Sequence, residues 1–319
     1  MITRRTLLQS LPAAAAGALV APSPSQAEAP MSDHQVPAQY RLRLGDIEVT
    51  AISDGYIPFS PDIIQGGGPG SVAEALAASP QSQPLIGHVN TYVVNTGGRL
   101  CLIDAGGPAS FIPTLGGLGA GLAAVGIDPA AIDQILLTHL HIDHIGGLLA
   151  ADASAMFPNA TLTLMADEHR YWTDPALLAR ADAGFRPLVE AAQRAVAGYA
   201  DRLVLLSGEV EAGPGISTVP IPGHTPGMAG FRLHSGTEQL LMWGDVVHVP
   251  AVQFAHPDWR LSFDTDGAAA AASRARVLDM VARDRIGVLG SHLPFPGHGY
   301  VRRGAEGYRY EAGYWDHFA

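Results

Sequence analysis

Residues 138–147 read THLHIDHIGG, and this stretch constrains the chain more than any other. Three histidines and one aspartate fall between His139 and His144. Neutral imidazole and carboxylate are good ligands for Zn²⁺ and similar ions. The segment ILLTHL reads as a strand, and side chains two apart on a strand point the same way, so His139 and His141 share a face. Asp143 and His144 then begin a turn and point elsewhere. One short segment can therefore serve two different ions. Gly146 and Gly147 let the following backbone pack close to such a site.

A single segment rarely completes a metal site, and the chain offers further donors in one recurring context. His224 lies in PGHTPG after the strand STVPI, Asp245 ends the apolar run LLMWGD, and His292 follows a strand in VLGSHLPFPG. Each is a polar residue at the end of an apolar strand, where loops build active sites. One strand-end histidine alone would be a satisfied structural group. Together with HxHxDH, the three complete a two-metal site. His298 lies six positions after His292 in the same segment; His292 is preferred because it directly follows the strand IGVLGS. His169, His248 and His298 are expected mostly beside the site or at the surface.

The chain has 319 residues, 47% hydrophobic and 15% charged, enough for a large core. Its net charge of −11 excludes a nucleic-acid partner, which would need a basic patch. The one cysteine, Cys101, cannot form an internal disulfide and reads as a buried strand residue in LCLID. Strand-like and helix-like runs alternate from residue 40, with helices expected near 71–78, at ADEHRYW, at PLVEAAQRAVAGYA and over 267–285. Strand-rich halves with interspersed helices fit an α/β sandwich. The stretch 58–87 is loop-rich. Gly-x-Ser-x-Gly is absent and GGGPG lacks phosphate-loop spacing, so neither serine-nucleophile nor nucleotide chemistry has support.

Thr3-Arg4-Arg5-Thr6-Leu7-Leu8-Gln9 resembles a twin-arginine export signal, followed by an Ala-rich apolar stretch and small residues at Ala27 and Ala29. Residues 1–29 are thus expected to be a signal peptide and 30–319 a single domain. The resemblance implies a periplasmic or secreted protein with no membrane anchor after processing.

THLHIDHIGG, PGHTPG, the Gly-Asp at 244–245 and the Ser-His at 291–292 occur in the order of the metallo-β-lactamase superfamily, which the chain resembles over nearly all of residues 40–300. The resemblance implies an αββα sandwich, two mixed β-sheets with helices on the outer faces. It further implies that His139, His141 and His224 hold one divalent ion, Asp143, His144 and His292 a second, and Asp245 both. The ions would be Zn, with Mn, Co or Fe fitting the same donors, and would share a hydroxide as nucleophile. Asp245 and Asp143 are then the catalytic carboxylates, Asp143 also passing a proton to the leaving group. Asp104, in LIDAGG, would support the site without binding metal, or cap a turn. SHLPFPG, VQF with FDTD, and PTLGGL look like the subgroup containing methyl parathion hydrolase and related lactonases.

That subgroup implies a small-molecule substrate (a lactone, aryl ester or organophosphate triester) and a homodimer, to which the 58–87 loop could contribute. Trp172, Phe185, Phe254, His256 and Trp259 are the residues expected to line its pocket, core packing being the alternative for each. Competing readings are a periplasmic metallo-β-lactamase, a thioesterase of the same fold, and a metal-binding protein without turnover. Export favours the first, and the bridging Asp245 argues against it.

Overall fold

Alternation along two adjacent strands sets the layering. Ile86–Asn95 and Leu100–Ile103 pair antiparallel, with Tyr92 opposite Ile103 and Val94 opposite Cys101. Tyr92, Val94, Cys101 and Ile103 enter one apolar core, while Val93 and Leu102 point the opposite way into another. A sheet buried on both faces must be covered on both sides. In the computed structural model, which describes residues 31–32, 35–68, 70–79 and 84–316, a second sheet and a helical layer provide that cover. The expected export signal over residues 1–29 lies outside the described residues.

The first sheet has seven strands in the order Gln39–Leu44, Ile47–Pro58, Ile86–Asn95, Leu100–Ile103, Gln134–Leu136, Thr161–Met165 and Leu203–Leu206. The first four pair antiparallel and the last three join in parallel. The second sheet runs Tyr308–Ala312, His298–Arg303, Gly287–Leu289, Glu238–Met242, Ala229–Ser235, Ile216–Pro220 and Glu211–Gly213. Only Glu238–Met242 and Gly287–Leu289 pair in parallel there. Leu42, Val49 and Leu136 of the first sheet meet Phe231, Leu233 and Leu289 of the second in the central core. Helices Ala166–Thr173 and Arg186–Ala197 cover the outer face of the first sheet through Trp172, Val189 and Val196. Helix Gly267–Asp284 covers the second through Val277, Leu278 and Val281. This is the αββα sandwich, within the compact unit Pro37–Ala319.

Most expected elements stand where the sequence pattern puts them, including the helix Ser71–Ala77 and the buried Cys101. Two do not. The strand read through ILLTHL stops at Leu136: Leu137 N–H still bonds Thr163 O of the neighbouring strand, and Thr138 N–H then turns to the Asp104 carboxylate. His139 and His141 therefore lie in a loop, and Asp143 and His144 lie in a single helical turn, Ile142–Ile145. The hairpin of His298–Arg303 and Tyr308–Ala312 extends the second sheet beyond the strand and loop expected to end it.

Candidate metal centre

The loops that follow Gln134–Leu136, Ile216–Pro220, Glu238–Met242 and Gly287–Leu289 converge at one edge of the sandwich and bring together all seven ligand candidates. His139, His141, His224 and Asp245 form one cluster, and Asp143, His144 and His292 a second. In the first, His141 Nδ1 lies 3.0 Å from His139 Nε2 and 2.9 Å from His224 Nε2. In the second, Asp143 Oδ2 lies 3.4 Å from His144 Nε2 and 3.5 Å from His292 Nε2. Asp245 stands between them. Its Oδ2 is 3.5 Å from His139, 3.3 Å from His224 and 3.1 Å from His292, and its Oδ1 is 3.2 Å from His144.

Behind the clusters, four of the rings are met at the nitrogen that faces away. Asp104 accepts from His144 Nδ1 at 2.8 Å while also binding the Thr138 N–H and hydroxyl. Asp264 pairs with His224 Nδ1 at 2.9 Å. His292 Nδ1 donates to His88 O, and His139 Nδ1 meets Thr138 Oγ1. Such outer partners set both the tautomer and the orientation of a ligand ring. Asp104 thus takes the supporting place foreseen for it. The close approach of the following backbone is also visible: a Cβ at Gly146 would collide with Pro108, and one at Gly147 with Ala105 O.

Burial and mutual charge shape the titration. Burial, reinforced by His224, pulls His141 down to about 3. Burial also pulls His139 well below its ordinary range, so both rings offer bare lone pairs at neutral pH. Against the same burial, hydrogen bonds that its ring donates to Asp245 and Asp264 carry His224 up to about 9. Burial likewise opposes the charge of Asp245, yet His144, His292 and His248 hold it well below the usual carboxylate range.

These donors fit divalent cations. His144 Nε2 and Asp245 Oδ1 are buried without a hydrogen-bond partner. His141 Nδ1 lies about 3 Å from both His139 Nε2 and His224 Nε2, so three ring nitrogens crowd one place. A cation there would satisfy all of them.

A cavity of about 200 Å³ opens above the clusters. Its floor is His141, Asp143, His224, Asp245, His248 and His292, and its walls are Ile57, Phe59, Phe111, Ile112, Leu188 and Phe263. The aromatic residues expected to line it lie elsewhere. Trp172 is fully buried behind His141, edge-on to that ring at 5.5 Å, and Phe185 packs on Trp172. Phe254 stacks on Tyr310 in the core under the second sheet, and His256 stacks on the buried Trp259. The cause is the short helix Pro250–Gln253, which turns the chain after Asp245 inward. His169 and His298 are half-buried and stand outside both clusters.

His248 stands beside the site, one of the two places expected for it. It is buried on the cavity floor, stacks on His292, and lies 3.0 Å from Asp245 Oδ2 through Nε2. Burial pulls its pKa down to about 4, so the ring is neutral; Nε2–H then donates to Asp245 and Nδ1 is the bare nitrogen. A hydrogen bond to an ionised group contributes about 1.5–3 kcal/mol. His248→Leu is expected to fold and to hold divalent cations roughly tenfold more weakly, read by chelator competition. Wild-type affinity in that variant would show that the contact does not reach the donor set.

Two mixed sheets with a buried His/Asp centre at their strand ends define a metalloprotein scaffold. The chain belongs to the metallo-beta-lactamase superfamily, whose family model matches residues 85–292, more than half of its length. Over 80 residues it is 39% identical to the Beta-lactamase-like protein 2 homolog of Drosophila melanogaster, a match spanning 24% of this chain and 25% of that relative. Among solved structures it is similar to hydrolase AbOPH of the beta lactamase superfamily, at 30% identity and TM-score 0.82 over 89% of this chain and 100% of that one. It is also similar to AidC, a dizinc quorum-quenching lactonase solved with the product N-hexanoyl-L-homoserine, at 28% identity and TM-score 0.78 over 88% and 99% of the two chains.

Proposed function

We propose that the protein is a dinuclear metal-dependent hydrolase of the methyl parathion hydrolase-like subgroup, opening lactones and cleaving aryl esters, with organophosphate triesters as further substrates. The observation that carries this reading is the shared carboxylate. Asp245 turns one oxygen to His144 and the other to His139, His224 and His292, so one side chain belongs to both donor sets. The similarity to AbOPH, a hydrolase, and AidC, a lactonase, supports it across almost the whole chain. Two divalent cations, zinc by preference, would supply a water-derived nucleophile at neutral pH and polarise the oxygen of the scissile group.

His139, His141 and His224 would hold one cation, Asp143, His144 and His292 the other, and Asp245 both. Phe59, Phe111 and Phe263 offer apolar walls that would orient an acyl or aryl group and keep bulk water from it. Asp143 faces the cavity and is more exposed than Asp245, at 8% against 3%. It is therefore the carboxylate that would accept the proton released by the attacking water and pass it to the departing oxygen.

The test is a side-by-side assay of the zinc- or manganese-loaded protein on a lactone, an aryl ester, methyl paraoxon and a β-lactam. The lactone and the aryl ester are expected to have the highest kcat/KM. Preference for the β-lactam would overturn this reading in favour of a β-lactamase, and two bound metals with no turnover of any substrate would favour a binding protein.

A further inference from the structure

Glu168 is completely buried, yet no cation pairs with it among the described contacts. It sits in the first turn of Ala166–Thr173. Its Oε1 accepts from Leu140 N–H at 3.0 Å and Trp172 Nε1–H at 2.7 Å. Its Oε2 accepts from the Thr225 hydroxyl at 2.7 Å and Gly227 N–H at 3.0 Å. Four neutral donors thus saturate the carboxylate, and this arrangement suits the ionised form, which only accepts.

The donors are distributed in an informative way. Leu140 lies between His139 and His141, and Thr225 follows His224. The two loops leave different sheets, one after Gln134–Leu136 and the other after Ile216–Pro220. One carboxylate therefore ties together the two loops that bring His139, His141 and His224 to a common point. Trp172, held by the same carboxylate, backs the His141 ring edge-on. A Cβ at Gly227 would collide with the Glu168 backbone nitrogen, so the loop carrying His224 packs directly onto this helical turn. The other cluster is supported elsewhere: His144 by Asp104 and His292 by His88 O.

We propose that Glu168 is the positioning residue for one of the two cation positions, the His139–His141–His224 position, and not for the other. This rests on the reading that the two clusters hold two cations. The chemistry of the side chain makes it testable. In Glu168→Gln the amide NH₂ must face either Leu140 N–H and Trp172 Nε1–H, or Thr225 and Gly227 N–H. The Thr225 hydroxyl can rotate and accept, but in either orientation at least one backbone N–H loses its acceptor.

Outer partners of ligand residues typically contribute about 10–100-fold in metal affinity. Glu168→Gln is expected to weaken one cation by about that factor and leave the second within roughly threefold. The measurement is stepwise Zn²⁺ competition with a chromophoric chelator, together with the visible spectrum of the Co²⁺-loaded protein. His141→Ala and His292→Ala assign each step to its cluster. Loss assigned to the His141 step supports the proposal. Equal weakening of both steps, or no change in either, overturns it. If Glu168→Gln does not fold, Thr225→Val removes only one donor and should show the same selectivity with a smaller change; unselective weakening or none overturns the proposal there. Wild-type protein that fails to bind two cations would instead overturn the two-cation reading itself, and the proposal with it.

Discussion

Asp245→Ala is expected to lose both cations together and to lower kcat/KM by at least roughly 10³-fold, which corresponds to about 4 kcal/mol. The size follows from position. Asp245 is 3% exposed and has five imidazoles around it: His139, His224, His248 and His292 within 3.5 Å of Oδ2, and His144 at 3.2 Å from Oδ1. Asp245 groups with His139, His141 and His224 on one side and with His248 and His292 on the other. Alanine would remove the charge that lets five buried rings share a small volume with cations. Asp245→Asn keeps the shape and one acceptor oxygen, so it should retain some metal while losing the anionic bridge. Metal content by atomic emission and kcat/KM on the best lactone check both variants. If Asp245→Ala keeps two metals and activity within a few fold, the shared-ligand assignment is wrong.

The donor set was legible in sequence for two reasons. His139, His141, Asp143 and His144 are close in the chain, and His224, Asp245 and His292 each end an apolar strand. Strands of a layered fold end at common edges, so residues at their ends can meet although tens of positions separate them. Even so, the local geometry differed. β-alternation was the expected reason for pairing His139 with His141, whereas a loop anchored by Thr138 and Leu140 brings them together. The pocket walls were not legible. Whether Phe254 or Phe263 faces the cavity depends on how the chain after Asp245 folds back through Pro250–Gln253, and no short-range pattern encodes that turn. Phe263 and Asp264 lie in FDTD, a motif that stood out, but its role emerges only when Asp264 is seen against His224. Glu168 was hidden for a similar reason. Its partners are neutral groups from distant loops, and in sequence it is simply one acidic residue in the first turn of a helix.

Arg274→Met is expected to lower stability by about 3–5 kcal/mol, since buried carbonyls lose hydrogen bonds from a charged donor. Arg274 is 2% exposed on the inner face of Gly267–Asp284. It donates from Nε to Val246 O at 2.7 Å and from Nη1 to Pro257 O at 2.9 Å and Trp259 O at 2.7 Å. Burial pulls the guanidinium pKa down, and Asp264 and Asp258 oppose that shift. The three carbonyls sit at the two ends of the 246–259 excursion, which carries His248 to the cavity floor. One guanidinium therefore closes the loop that lies beside the bridging carboxylate. Methionine fills much of the volume but supplies no donor, so up to three buried carbonyls lose their partner, each at about 1–3 kcal/mol before relaxation. Lysine keeps a charge but lacks the planar fork, and so should fall between wild type and Met. For a chain of this size, about 2–4 °C of melting temperature per kcal/mol puts Arg274→Met roughly 10 °C below wild type in a thermal scan of the zinc-loaded protein. Because the loop supplies none of the seven residues read as ligands, zinc stoichiometry at low temperature should stay at its wild-type value while the melting point falls. A melting point within about 2 °C of wild type would mean that the loop is held by its own packing and that the arginine contacts contribute little.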